Sequence, residues 1–281
     1  MAFKSILVSL NETDRNEVLL PIAIGLTQLF DAHLTGLYII PAAKIYPSAA
    51  FEPIPAIYEA LRNYFIKQKD VVKTVFDKAM STEAVRNDLR ILESSSPLVS
   101  DLFIEHGRET DLIVVSQTNL SGELGVELDF VARVAIAVGR PVLVIPRSGV
   151  NKLLLDTIII GWNGSREATR ATFDSLPFLR CAKDVRIVWI DPEEEFYKSG
   201  VLPGAELAEA LSRHGVKAVV EPMRIGREEE PGKALLRKTS DLGAGLLVMG
   251  AYGHSRLREF ILGGATRTTI NTMKCPVLMS H

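Results

Sequence analysis

The chain repeats one pattern twice, and this repeat is the feature that most constrains its fold. The first copy opens with an apolar run that leads to Asn11, and the second opens with a similar run that leads to Asn163. Two more matched pairs follow in the same order: 111–116 with 245–250, and 140–145 with 274–279. Three matches in one order predict a tandem repeat of a single supersecondary unit.

Each copy alternates short apolar runs with helical segments in the order β-α-β-α-β-α-β-α-β. The predicted strands cover 6–10, 34–39, 89–93, 112–115 and 141–145, then 157–161, 184–190, 218–222, 246–249 and 277–279. Short runs rich in Val, Ile and Leu between helices are typical of buried parallel strands. The pattern predicts an α/β fold with two tandem doubly wound domains, each a five-stranded parallel sheet, over residues 1–148 and 152–281.

Composition limits the class of protein and its partners. The 281 residues are 47% apolar and 23% charged, with a net charge of −2, which fits a globular protein and argues against a nucleic-acid partner. We expect no membrane partner, because no apolar run reaches the roughly 18 residues of a membrane span, and the start of the chain lacks signal-peptide features. The two cysteines show neither CxxC nor zinc spacing, so we expect no metal site and a cytoplasmic location.

A glycine-rich stretch over residues 248–266 is the strongest functional signal. Gly250 and Gly253 end an apolar strand, nine residues follow, and Gly263 and Gly264 then open a predicted helix. Glycines at a strand end allow close approach of a ligand to the backbone, and a helix N-terminus offers free N–H groups to a phosphate. Taken by itself, the pattern is open to a second interpretation as plain turn-forming glycines.

The chain resembles tandem universal stress proteins of the UspA superfamily along both copies. Those domains carry Gly-x-x-Gly, nine residues, then Gly-Ser/Thr, which here are Gly250, Gly253 and Gly263 followed by Gly264. The Gly-His-Ser run from Gly253, the strand-Asn-Gly-Ser run around Asn163 and the Cys-Pro-Val-Leu ending also resemble the family. The resemblance implies a flavodoxin-like, adenine nucleotide alpha hydrolase-like fold and, in some members, ATP binding.

The resemblance implies a set of ligand contacts by position. Adenine and ribose contacts would fall on Gly161, Asn163, Trp189, Met249 and Gly250, and phosphate contacts on Gly253, Gly263, Gly264, Ala265 and Thr266. His254 adjoins the phosphate contacts, where it either helps to hold phosphate or caps the turn. Two residues depart from the ATP-binding pattern: Asn163 replaces the usual Asp, and Gly264 replaces the usual Ser or Thr. Asn keeps an acceptor but loses the negative charge.

The first copy departs further from the nucleotide motif. Its counterpart of the Gly250 turn is Ser116-Gln117-Thr118-Asn119, and the counterpart of Gly263 is Asp129. A carboxylate at a helix N-terminus satisfies the N–H groups that a phosphate would use, and it repels phosphate. Glu123 and Glu127 add negative charge nearby. We therefore predict that the first copy binds no nucleotide in the family manner.

Three functions are compatible with the sequence. The first is a cytoplasmic stress-response switch that binds ATP, with or without Mg²⁺, or another adenine nucleotide in the second copy and is read by an unknown protein partner. The second is a nucleotide-independent scaffold, and the third is a small-molecule carrier or enzyme with a cleft near residues 41–80. No catalytic constellation is recognisable, so we expect at most slow ATP hydrolysis.

The family resemblance also implies how the two copies associate. The closing strands at 141–145 and 276–279 are expected at sheet edges, and exposed apolar edges favour strand pairing. Pairing of these two edges would make one chain a pseudo-dimer. A homodimer of whole chains is a further arrangement that the sequence leaves open.

Overall fold

Parallel strands connected by helices make up most of the protein, as the repeated pattern predicts. The computed structural model describes residues 2–42, 55–119, 125–191, 202–226, 228–252 and 264–281. The chain divides into two compact units, one of residues 3–134 and one of residues 135–281 together with the N-terminus. The α/β class and the doubly wound topology are confirmed in both.

The unit of residues 3–134 contains a four-stranded parallel sheet in the order β3-β2-β1-β4. Its elements are β1 (Ser5–Ser9), α1 (Asn16–Phe30), β2 (His33–Ile40), α2 (Pro55–Ser81), β3 (Arg86–Glu93), α3 (Val99–Gly107) and β4 (Leu112–Ser116). A short 3-10 turn, Thr13–Arg15, precedes α1. The strands β1 and β4 are buried along almost their whole length, which explains their continuous apolar sequence.

The other unit contains a six-stranded sheet in the order β5-β10-β9-β6-β7-β8. After α4 (Phe130–Ala137), its elements are β5 (Val142–Ile145), β6 (Thr157–Trp162), α5 (Arg166–Asp174), α6 (Leu176–Leu179), β7 (Asp184–Ile190), α7 (Ala205–Arg213), β8 (Ala218–Met223), α8 (Pro231–Asp241), β9 (Leu246–Gly250), α9 (Gly264–Thr272) and β10 (Val277–Ser280). The strands from β6 to β10 run parallel to one another.

The strand β5 is the place where the observed sheets differ from the predicted pair of five-stranded sheets. By sequence it closes the first copy, but in the structure it pairs antiparallel with β10, with Val144 opposite Val277 and Val142 opposite Met279. It therefore belongs to the compact unit of the second copy, and the division falls after residue 134. The backbone hydrogen bonds of an exposed edge strand explain this regrouping.

The segment around residues 41–80, for which the sequence left a ligand cleft open, is described only in part. Residues 43–54 lie outside the described residues. The described part of α2 packs on β2: Phe65 is fully buried, its carbonyl accepts a hydrogen bond from the Tyr38 hydroxyl at 2.8 Å, and Phe76 lies against Gly36. Within the described ranges, no helix is both long enough and apolar enough to cross a membrane.

Candidate functional site

A cavity of about 310 Å³ lies at the carboxyl ends of β6, β7 and β9. The strands β6 and β9 are neighbours in the sheet, and the chain leaves them toward opposite sides, so this is the topological switch point. Ligands of doubly wound sheets bind at such points. The lining consists of Gly161, Trp162, Asn163, Ser165, Glu167, Ala168, Val188, Ile190, Asp191, Pro231, Leu235, Met249, Gly250, Tyr252, Gly264, Ala265 and Thr266.

Most of the predicted ligand contacts that the structure describes meet at this cavity. They are Gly161, Asn163, Met249, Gly250, Gly264, Ala265 and Thr266. Gly253, His254 and Gly263 lie outside the described residues. Trp189 is not part of the lining. Its neighbours Val188 and Ile190 line the cavity instead, because successive residues of a strand point to opposite faces.

One of the predicted glycines is required by packing inside the protein. A Cβ on Gly250 would lie 2.5 Å from Ala168 N, at the start of α5, so this helix approaches the sheet closely only because glycine is present. A Cβ on Gly161 would lie 2.9 Å from Leu235 Cδ1 on α8, which is the end of a side chain that can move. Gly264 differs, because no atom of the described residues lies within 4 Å of its Cβ position.

The turn after β6 is built by two polar side chains. Asn163 Oδ1 accepts a hydrogen bond from Ser165 N at 3.1 Å, and Ser165 Oγ accepts one from Ala168 N at 3.1 Å. Ser165 is thus the N-cap of α5, and Asn163 forms an Asx turn before it. With its oxygen used by the turn, the exposed Asn163 side chain presents its amide NH₂ as a donor at the cavity.

The start of α9 is tied to the end of β9 by one hydrogen bond. Thr266 is buried, and its Oγ1 accepts from Tyr252 N at 3.2 Å. Tyr252 has a left-handed backbone (φ 57°), a conformation that non-glycine residues adopt at a cost. The first turn of α9 supplies backbone N–H groups that have no partner within the helix, and its residues Gly264 and Ala265 line the cavity.

Two carboxylates, Glu167 and Asp191, line the cavity. The side chain of Glu167 is 8% exposed and pairs with Arg166, with Nη2 2.9 Å from Oε1. Asp191 has a left-handed backbone (φ 42°), and its Oδ1 accepts from Ile225 N at 3.1 Å. Among the lining residues that the structure describes there is no lysine or arginine, so this part of the wall carries negative charge.

A third carboxylate joins the two helices that border the cavity. Glu230 precedes α8, and its carboxylate accepts a hydrogen bond from the Thr268 hydroxyl of α9. This hydrogen bond, together with Lys233, holds the pKa of Glu230 below its usual range. The described residues contain no group of three or more His, Cys, Asp or Glu side chains placed to hold a metal ion.

Sequence reasoning missed the carboxylates and much of the apolar wall. The missed lining residues are Trp162, Ser165, Glu167, Ala168, Val188, Ile190, Asp191, Pro231, Leu235 and Tyr252. The sequence carried a signal for two of them. Ile190 and Asp191 lie at the carboxyl end of a strand, where doubly wound sheets place ligand contacts. Pro231 and Leu235 carry no such signal, because they enter the cavity only through the packing of α8.

The first copy has different side chains at the corresponding positions. Arg15 corresponds to Glu167 and is buried, and its Nε donates to Oγ of Ser116, the counterpart of Gly250, at 3.3 Å. The prediction that the Asp129 carboxylate satisfies helix amides is wrong, because that carboxylate pairs with Arg133 at 2.7 Å. Glu127 has this role at a different helix, α3: its carboxylate accepts from Val99 N at 3.2 Å and Ser100 N at 2.7 Å.

Comparison with known proteins relates part of this chain to a protein family. The profile of the Universal stress protein family matches residues 182–281. A curated universal stress protein from Synechocystis sp. is 38% identical over 68 residues, 24% of this chain and 22% of that protein, so the match spans about a fifth of the relative's length.

Two solved structures share the fold over nearly the whole chain. A universal stress protein from Archaeoglobus fulgidus has a TM-score of 0.69 at 16% identity, covering 98% of this chain and 97% of its own. A functionally unknown protein from Pseudomonas aeruginosa PAO1 has a TM-score of 0.60 at 13% identity, covering 99% and 92%. The family profile and the curated relative thus relate part of this chain to universal stress proteins, and the solved structures show that the fold is shared over nearly its whole length.

Proposed function

We propose that the second copy binds ATP or another adenine nucleotide in the cavity at the β6–β9 switch point, and that binding makes the protein a cytoplasmic stress-response switch. We further propose that the two sequence copies, residues 1–148 and 152–281, act as a degenerate and a ligand-binding domain. The observation that carries the proposal is the cavity itself, because Gly161, Gly250 and Thr266 meet there although they come from three separate segments.

The chemistry of the lining supports a nucleoside-containing ligand. One wall is apolar, with Val188, Ile190, Leu235 and Met249, and suits the faces of a flat base. Polar groups at the rim, including the Asn163 amide, suit base edges and sugar hydroxyls. A pocket with a mostly apolar lining and a few placed polar groups is typical of small-molecule sites, and the N-terminus of α9 favours an anionic group.

The switch would act through the connection between β9 and α9. Tyr252 and Thr266 are joined by a hydrogen bond between backbone and side chain. A ligand that contacts both the end of β9 and the first turn of α9 would add contacts across the same junction. The surface around the end of β9 and the first turn of α9 would then depend on the ligand, and a protein partner would read it.

The decisive test is a titration of the full chain and of two variants at one residue. A Cβ at Gly264 meets no atom of the described residues within 4 Å, so we expect Gly264→Asp to keep the fold while placing a carboxylate at the α9 N-terminus. We expect Gly264→Asp to weaken ATP binding at least tenfold in isothermal titration calorimetry, while Gly264→Ala, which adds a methyl group alone, stays within about threefold of the parent. Equal ATP affinity in Gly264→Asp and the parent would contradict the site assignment.

A nucleotide-independent scaffold is the second candidate function. It is favoured by the antiparallel pairing of β5 with β10, which ties the closing strand of the first copy into the sheet of the second without any ligand. Mass spectrometry of small molecules released from freshly purified, denatured protein separates the candidates. About one adenine nucleotide per chain supports the switch, none together with no thermal shift in ATP and Mg²⁺ supports the scaffold, and a different compound supports the carrier or enzyme.

A further inference from the structure

Gly232 is a buried glycine in the first turn of α8, at a position for which the helix itself gives no reason. Glycine is the least favourable residue after proline inside a helix, because it loses the most backbone freedom on folding. Gly232 is the second residue of α8 and is buried between Pro231 and Lys233, which are both exposed. A buried glycine in a helix is explained when another segment of the backbone approaches it closely.

The segment that approaches Gly232 is the first turn of α9 together with the turn that follows it. A Cβ on Gly232 would lie 2.5 Å from Ala265 O, 3.2 Å from Ala265 Cα and 2.9 Å from Thr269 Oγ1. The nearest of these atoms belongs to the backbone, so it cannot move aside as the end of a side chain would. The two helices therefore lie at this distance only because residue 232 has no side chain.

Both sides of this contact belong to the wall of the cavity. Ala265 lines the cavity from α9, and Pro231 and Leu235, on either side of Gly232 in α8, line it as well. Gly232 itself is not part of the lining. The contact at Gly232 thus sets the distance between two walls of the cavity, and with it the place of the first turn of α9.

The contact between Gly232 and α9 is one of packing. Thr269 Oγ1, the side-chain atom nearest to the Cβ position of Gly232, is buried and has no hydrogen-bond partner. The hydrogen bond between Glu230 and Thr268 joins the same two helices at an exposed position. At the buried position, the place of α9 therefore depends on steric fit.

The first copy has a leucine where the second copy has Gly232. In the register that pairs residues 111–116 with 245–250, Leu98 corresponds to Gly232. The start of α3 in the first copy is held by the Glu127 carboxylate, which accepts from two backbone amides. The glycine is thus found in the copy to which the described cavity belongs.

Given the nucleotide site proposed above, we propose that Gly232 is a positioning residue of this site, which lets α9 lie close enough to α8 for its first turn to contact the ligand. Gly232 does not touch the ligand. A side chain at this position displaces Ala265, so a ligand that bridges the end of β9 and the first turn of α9 loses its contacts on the α9 side.

The test compares ATP binding by the full chain, by Gly232→Ala and by Gly245→Ala, in isothermal titration calorimetry at a temperature where all three are folded. Gly245 is the matched control, because a Cβ there would also collide with a backbone oxygen, that of Leu154. It precedes β9 at the end of the strand away from the cavity and is not part of the lining. We expect Gly232→Ala to bind ATP at least tenfold more weakly than the parent, and Gly245→Ala to stay within about threefold of it.

Hydrogen exchange of the Tyr252 amide, followed by NMR, reports the place of α9 in the absence of ligand. This amide donates to Thr266 Oγ1 in the first turn of α9, so a displacement of α9 exposes it to solvent. We expect exchange at least tenfold faster than in the parent for Gly232→Ala, and within about threefold of the parent for Gly245→Ala. If Gly232→Ala does not fold, Thr269→Ala loosens the same contact without adding an atom and should change both measurements in the same direction.

Three results would contradict the proposal in different ways. Equal losses of ATP affinity in Gly232→Ala and Gly245→Ala, or no loss in either, would overturn the positioning role while the proposed adenine site stands. Unchanged exchange of the Tyr252 amide in Gly232→Ala would overturn the displacement of α9. If the parent binds neither ATP nor AMP, the proposed function fails, and the role of Gly232 in binding fails with it.

Discussion

Asn11 and Asn163 hold corresponding positions after the first strand of each copy, and their side chains make different hydrogen bonds. Asn11 is 1% exposed and joins two strands, since its Nδ2 donates to Ile39 O at 2.7 Å and its Oδ1 accepts from Ile39 N at 3.0 Å. Asn163 is exposed, and its hydrogen bond among the described residues is within its own turn, to Ser165. The same residue type thus closes the strand end in the first copy and leaves it open in the second.

The residues near these two asparagines also differ between the copies. In the first copy, buried Arg15 and Ser116 bond to each other, and the Glu127 carboxylate satisfies amides at the start of α3. In the second copy, Gly250 lies against the first turn of α5 and is part of the cavity lining. The comparison teaches that the two copies share a backbone pattern, while in the first copy internal side chains make hydrogen bonds that have no counterpart in the second.

The largest difference in the free energy of unfolding should be between variants of the two asparagines. Asn11→Ala leaves a buried N–H and a buried carbonyl of Ile39 without their partner, so we expect a loss of about 2–4 kcal/mol in the free energy of unfolding. Asn163→Ala loses one exposed turn hydrogen bond and should cost less than about 1 kcal/mol. Urea denaturation followed by circular dichroism measures both. Similar losses for the two variants would break the comparison.

The next largest loss of stability should come from replacing Gly250 of the second copy with serine, the residue at the corresponding position of the first copy. Gly250→Ser places a Cβ against Ala168 N and Glu167 C, and we expect a destabilisation of about 1–3 kcal/mol from the displacement of α5. Gly264→Ser is the matched control, because its Cβ position is open, and should stay within about 0.5 kcal/mol of the parent. The measurement is the urea midpoint at constant slope, and an unchanged midpoint for Gly250→Ser would refute the packing role.

A smaller loss of stability is expected when the carboxylates of Glu127 and Glu230 are removed. Glu127→Ala removes the acceptor of two backbone amides and should cost about 1 kcal/mol, the usual size of a lost helix cap. Glu230→Ala removes an exposed carboxylate that bonds to the Thr268 hydroxyl, so its effect should be the smaller of the two. Thermal unfolding of both variants tests this order of effects. A larger loss of stability for Glu230→Ala would contradict it.

The smallest effect concerns acid stability of the first copy. Burial acts to raise the pKa of Asp88, but hydrogen bonds from His33, Thr35 and Arg90 outweigh it and leave this pKa below its usual range. A lowered pKa gives stability that is present above the unfolded value near 3.9 and is lost as pH falls through the folded value. Asp88→Asn should therefore flatten the fall of the urea midpoint between pH 5 and pH 3. An equally steep fall in this variant would contradict the prediction.

Much of the fold could be predicted from the sequence because its periodic signals are local. The predicted strands at 184–190 and 246–249 match β7 and β9 to within a residue, since buried parallel strands are continuous apolar runs. The pairing of β5 with β10 was expected from the family resemblance, and local periodicity alone does not indicate it, because strand pairing depends on contacts between residues far apart in the chain.

The candidate site was predictable only where residue type and position together signal it. The glycines at the ends of β6 and β9 were found from their pattern, although the structure assigns Gly250 a packing role that the pattern does not reveal. Glu167 was missed, because a glutamate in the first turn of a helix is ordinary in sequence. Its burial beside Gly250 makes it part of a cavity wall.

The sequence by itself determined the repeat and the α/β class, because these rest on local periodicity and on the types of residue at strand ends. The tertiary structure decided which side chains line the cavity of the second copy. Asn11 and Asn163 are the same residue in the same local pattern, and only the surrounding side chains make one a buried bridge and the other a rim. Volume and hydrogen-bond partners are properties of neighbours in space, and the order of residues along the chain does not specify them directly.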